Sequence, residues 1–105
     1  MDLNILKKKF SSYKKEDIII REHAEIQAFV REIDLNEVKE NIVNPVKLVF
    51  AQKQIAKFKD EEKYDCYFAY SRNLYHRYVV AVNRKLIIVT IIKINRDWQR
   101  AVEGK

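Results

Sequence analysis

Apolar residues recur along this chain with two different periods, and the changes of period mark its elements. Leu3, Leu6 and Phe10 share one face of a short helix over residues 3–10, ahead of Ser11-Ser12. Asp17-Ile18-Ile19-Ile20-Arg21 is a β-branched run and reads as a first strand. From Glu22 the period lengthens. Ile26, Phe29, Val30 and Ile33 are spaced i, i+3, i+4, i+7, the stripe of an amphipathic helix, with His23 on the same stripe at its first turn. Asp34 opens a second helix with Glu37 at the capping-box position and Leu35, Val38 and Ile42 as its stripe. Asn44-Pro45 ends it, because a residue before proline is driven out of the helical region.

After Pro45 the pattern turns to strands. Residues 46–58 hold clustered apolar positions, and 59–63 form a charged turn. Residues 64–70 and 75–82 alternate, separated by Ser71-Arg72-Asn73. Asn83-Arg84 reads as a two-residue hairpin loop, since asparagine tolerates positive φ. Residues 85–94 form the most apolar strand, with apolar side chains in both phases, as expected of a central position. Trp98 and Val102 fit a short terminal helix opened by Asn95. The expected fold is α+β: an N-terminal strand and two helices packed on one face of an antiparallel four- to five-stranded sheet. Residues 1–16 read as a basic extension, possible as a helix, and 17–105 as the single domain.

Composition narrows the chemistry. One glycine in 105 residues, Gly104, excludes dinucleotide fingerprints, phosphate-cradling Walker loops and serine elbows, each of which needs glycine for close backbone approach. One cysteine, Cys66, excludes an internal disulfide and CxxC metal or redox motifs, and two distant histidines match no metal-ligand spacing. No metal or cofactor is expected. No apolar run approaches the ~20 residues of a membrane span, and Lys7-Lys8-Lys9 is not followed by the apolar region of a signal peptide. A cytoplasmic, soluble protein, monomeric or homodimeric, is the expectation. The net charge of +6 is uneven: residues 1–15 and 72–105 are basic and 16–71 are acidic overall. Basic ends fit a polyanion, RNA first.

Five positions stand out for phosphate chemistry. His23 at a helix start can exchange protons near neutral pH and lies where a helix dipole favours anions. Its plain alternative is packing at the core edge. Arg77 lies among apolar strand positions, where a guanidinium needs an anion or an acid such as Glu22 or Glu25. His76, its neighbour, faces the other side of the sheet, in phase with Tyr78 and Val80. In the last strand, Thr90 falls in phase with Leu86, Ile88 and Ile92, and Lys93 with Ile87, Val89 and Ile91. Lys53, Arg84, Lys85 and Arg96 are candidates for nucleic-acid contact. Tyr64, Tyr67, Tyr70, Tyr75 and Tyr78 suit either base stacking or sheet packing.

Ile18-Ile19-Ile20-Arg21-Glu22-His23-Ala24, the run from Leu35 to Asn44-Pro45, Arg77-Tyr78-Val79-Val80 and Ile88-Val89-Thr90-Ile91-Ile92-Lys93 together resemble a family of small prokaryotic proteins. That family is related in fold to RelE-type toxins, which cleave RNA. The resemblance covers residues 17–95. It implies a RelE-like fold, metal-independent ribonuclease activity with His23, Arg77, Thr90 and Lys93 in the site, and a cognate antitoxin as partner. The chain departs from ribosome-dependent toxins in lacking their arginine- and lysine-dense face. The second reading, from the charge alone, is an RNA-binding or protein-interaction module without catalysis.

Overall fold

The computed structural model describes residues 2–56 and 59–95. Helix α1 (Leu3–Ser11) and a 3-10 turn (Lys15–Asp17) precede strand β1 (Ile18–Ile20), helices α2 (Glu22–Val30) and α3 (Leu35–Val43), and strands β2 (Leu48–Gln54), β3 (Glu62–Ala69), β4 (Leu74–Val82) and β5 (Leu86–Asn95). The five strands form one sheet in the order β1-β5-β4-β3-β2. Strands β2 to β5 make the expected antiparallel meander, but β1 joins β5 in parallel. The sheet is therefore mixed, not antiparallel throughout. The reason lies in the connection: two helices separate β1 from the meander, a link long enough to bring a strand back parallel. As its apolar composition requires, β5 is paired on both edges.

Two of the helices, α1 and α3, start at an aspartate that caps them, while α2 starts at Arg21 without a side-chain cap. Asp2 accepts from the Asn4 backbone N–H at 2.9 Å, and Asp34 from that of Asn36 at 2.8 Å. Glu37 does not complete a capping box; it accepts instead from the Tyr70 hydroxyl, 33 residues away. α2 ends in a Schellman motif: Ile33 N–H donates to Ala28 O and Glu32 N–H to Phe29 O. Glu32 therefore takes the left-handed position, with φ 56. Ile33, expected as the end of the α2 stripe, lies beyond the helix and is buried as the apolar residue that follows such a cap.

The core lies between the helices and one face of the sheet. Cross-strand rows on that face run Ile20–Ile88–Val80–Tyr64, then Ile91–Tyr78–Cys66–Ala51, then Lys93–His76–Phe68–Leu48. Leu6 and Phe10 of α1 are buried in the same cluster as Val38 and Ile42 of α3, each fully buried side chain contributing roughly 1.5–3 kcal/mol. The basic stretch thus contributes Leu6 and Phe10 to the core. Lys9 pairs with Glu62 at 2.8 Å, and the Tyr13 hydroxyl donates to Asn83 O at 2.9 Å.

Two departures reshape the faces. Val79 pairs with Thr90 but Val80 with Ile88, so Val89 is an extra residue, a β-bulge in β5. And α2 buries Ala24 and Ala28, while Ile26, Phe29 and Val30 of the expected core stripe point outward. The β4–β5 turn has three residues between the paired Val82 and Leu86, not two. Asn83 closes it with its side chain, accepting from Lys85 N–H at 3.0 Å, without positive φ. The expected terminal helix with Trp98 and Val102 lies outside the described residues.

Candidate functional site

The row Lys93–His76–Phe68–Leu48 ends the helix-side face of the sheet, and polar groups from five segments gather there. β4 alternation turns His76 and Tyr78 inward, as their phase indicates. His76 Nδ1 lies 2.9 Å from the Tyr78 hydroxyl, which also accepts from Asn41 Nδ2 of α3 at 3.0 Å. Tyr70, in the β3–β4 turn, stacks on the His76 ring with centroids 4.5 Å apart and an interplanar angle of 12°. Its hydroxyl donates to Glu37 Oε2 at 2.9 Å. Lys47 Nζ stands 4.8 Å from the Tyr70 ring centroid, and Lys93 faces His76 across the β4–β5 ladder.

The electrostatics follow from this packing. Burial lowers the His76 pKa below its ordinary value; Glu37 opposes the effect, while Lys93 and Lys47 add to it. The imidazole is therefore neutral at neutral pH. The bond to Glu37 raises the Tyr70 pKa, and burial raises that of Tyr78, so both phenols keep their protons. His76 is 1% exposed and Tyr70 40%. The tyrosine thus covers the histidine. The cluster combines a neutral imidazole, two protonated phenols, a carboxylate and two ammonium groups at one end of the molecule.

The residues expected from the sequence are distributed otherwise. Lys93 belongs to this end. The bulge at Val89 reverses the phase of β5 beyond it, so Lys93 shares the helix-side face with Leu86, Ile88 and Ile91, and Thr90 the opposite face with Ile87 and Ile92. Both assignments of phase are thereby corrected. Arg77 also lies on the opposite face. There its Nε and NH2 donate to the two carboxylate oxygens of the buried Asp65 at 2.7 and 2.6 Å, so its acid is a strand aspartate rather than Glu22 or Glu25. Its guanidinium also lies 5.6 Å from the Tyr67 ring centroid. His23 is exposed in the first turn of α2.

Lys53 is exposed on the edge strand β2, and Arg84 and Lys85 sit in the β4–β5 turn, where Lys85 pairs with Asp17 at 3.1 Å. That turn is about 25 Å from Lys93, at ~3.3 Å per strand residue. Arg96 lies outside the described residues. Tyr64, Tyr70 and Tyr78 serve packing and hydrogen bonding within the fold. Cys66 is buried, and its thiol is pushed up by desolvation, away from nucleophilic reactivity. Among the described residues no group of His, Cys, Asp and Glu could hold a metal, and no helix is long and apolar enough to cross a membrane.

Glu37, Asn41 and Lys47 were not among the sequence candidates, and Tyr70 was one only as an aromatic suited to stacking or packing. The only local signal for them is the position of Lys47 and Tyr70 at strand ends, where polar groups from several elements meet. Comparison of the chain with protein-family models, curated proteins and solved structures finds no match.

Proposed function

We propose that the protein is a RelE-like, toxin-type ribonuclease that cleaves RNA without a metal, and that it does so at the lysine-flanked Tyr70–His76 pair. One observation carries this reading. A neutral histidine, phenol hydroxyls and two lysines meet at a single place, supplied by α3, the start of β2, the β3–β4 turn, β4 and β5. These are the groups that internal transfer of an RNA phosphodiester needs. The ribose 2′-hydroxyl loses its proton to a base and its oxygen attacks phosphorus. The bond from phosphorus to the 5′ oxygen breaks, and that oxygen takes the proton that the base has just received. The products are a 2′,3′-cyclic phosphate and a 5′-hydroxyl.

Lys47 and Lys93 hold the non-bridging oxygens and stabilise the charge that grows on them. His76 is the base. It acts in its Nδ1–H tautomer, with Nδ1 donating to the Tyr78 hydroxyl oxygen and Nε2 receiving the proton. Because Tyr70 lies over the buried imidazole, RNA reaches His76 when a base takes the place of the Tyr70 ring. Arg77 and Thr90, on the other face, support the sheet rather than the phosphate. A cytoplasmic setting and an antitoxin that covers this end belong to the same reading.

The burial of His76 and its separation from Arg77 and Thr90 favour a second reading, RNA binding at the same lysines without cleavage. Single-stranded RNA incubated with the protein in EDTA decides between them. Under the first reading, fragments carry cyclic phosphate ends and Lys93→Ala slows their formation about 100-fold. A gel shift with intact RNA supports the second. Neither cleavage nor a shift overturns both.

A further inference from the structure

Helix α1 presents its lysines on two flanks. Lys9 turns toward β3 and pairs with Glu62. Lys7 and Lys8 turn toward the return from α3 to β2, where they line a cleft of about 260 Å3 with Ser11, Pro45 and Val46. Neither has an acid three or four positions away on its own helix, and residues 44–47 hold none. The acids of α3 are engaged elsewhere, Glu40 with Lys15 and Glu37 with the Tyr70 hydroxyl. Nor does the end of α1 need these lysines. The Ser11 and Ser12 hydroxyls donate to the carbonyls of Lys8 and Lys9 at 3.0 and 2.6 Å. Among the described residues, Lys7, Lys8, Lys47 and Lys93 make no ion pair. Val46, 72% exposed, is followed directly by Lys47, whose Cα lies ~3.8 Å further on.

We infer that this cleft holds the RNA strand beyond the phosphate at Lys47 and Lys93. Lys7 and Lys8 take a neighbouring phosphate, and the apolar wall of Pro45 and Val46 takes the adjoining base. The inference rests on the reading of the Tyr70–His76 end as an RNA site. Single-strand sites join a basic track for the backbone to surfaces for the bases. Lysine meets a phosphate as a point charge, so the cleft adds affinity without sequence preference. The cleavage chemistry stays at His76.

Fluorescence anisotropy of a labelled single-stranded 2′-O-methyl RNA tests this. Its blocked 2′-hydroxyls prevent cleavage, so binding is read apart from catalysis. Lys7→Ala combined with Lys8→Ala should weaken binding about tenfold and lower the salt slope by about 1.4. Lys59→Ala combined with Lys63→Ala removes the same charge beside the β2–β3 turn, at the other end of the sheet, and should cost about twofold or less. Equal losses in the two double variants would reduce the effect to net charge and overturn the inference. If Lys93→Ala weakens binding and the α1 pair does not, the cleft is refuted and the Tyr70–His76 site stands. A wild type that does not bind the RNA refutes both. The α1 effect together with no cleavage of unmodified RNA removes the catalytic reading and leaves the inference standing.

Discussion

Glu32 occupies a backbone position where most helices place glycine. With Gly104 the single glycine in the chain, the left-handed cap of α2 falls to a residue with a Cβ, at about 1–2 kcal/mol. Glu32→Gly removes that strain but loosens the unfolded chain, so a net gain of about 1 kcal/mol is expected in urea denaturation. His76 ties pH to stability. Its folded pKa lies below the ordinary histidine value because burial disfavours the charged ring. The unfolded chain therefore binds the proton more readily. The contribution is complete above the ordinary value and is lost as pH falls through it toward the folded pKa. The urea midpoint should drop from about pH 7 to about pH 5, and His76→Gln should flatten that drop. Asp17 and Glu62, both held below the ordinary carboxylate range by lysine partners, act only in more acidic solution.

At the scale of elements, β5 shows what a pattern of residues can and cannot say. Its extent, its central place and its hairpin with β4 follow from composition and turn residues. The bulge does not, because Leu86–Ile92 is apolar in both phases apart from Thr90, and no side chain marks Val89 as the extra residue. One inserted position then exchanged the faces of Thr90 and Lys93. α2 failed differently: two alanines allow close approach to the sheet, and the larger residues at the better periodicity were left outside. Lys93 as a candidate, though not its face, and the phase that His76 shares with Tyr78 were legible. Lys47 and Glu37, and the place of Tyr70 beside them, were not, since their meeting depends on how α3 and two strand ends pack. Past the bulge, Gln27 Oε1 accepts from Ile91 N–H at 2.9 Å, capping a strand edge that β1 is too short to pair. Gln27→Leu should cost about 1–3 kcal/mol and speed hydrogen exchange at the Ile91 amide. Unchanged exchange there would show that this bond does not protect the edge.

At the scale of the molecule, one sheet separates two environments. The opposite face carries the Arg77–Asp65 pair, a bidentate contact whose acid is buried and whose removal would strand a charge. The helix-side face closes over the core and ends in the polar cluster around His76. The two histidines thereby make different claims. His23 is the histidine expected from the sequence and is exposed on α2; His76 sits between lysines under Tyr70. The rate of cleavage of a fluorogenic single-stranded RNA in EDTA, measured side by side for wild type, His76→Gln and His23→Gln, separates them most directly. The account predicts cleavage by wild type, a loss of about 100-fold or more in His76→Gln, and near-wild-type rates in His23→Gln. Cleavage that survives in His76→Gln, or is lost only in His23→Gln, would contradict it.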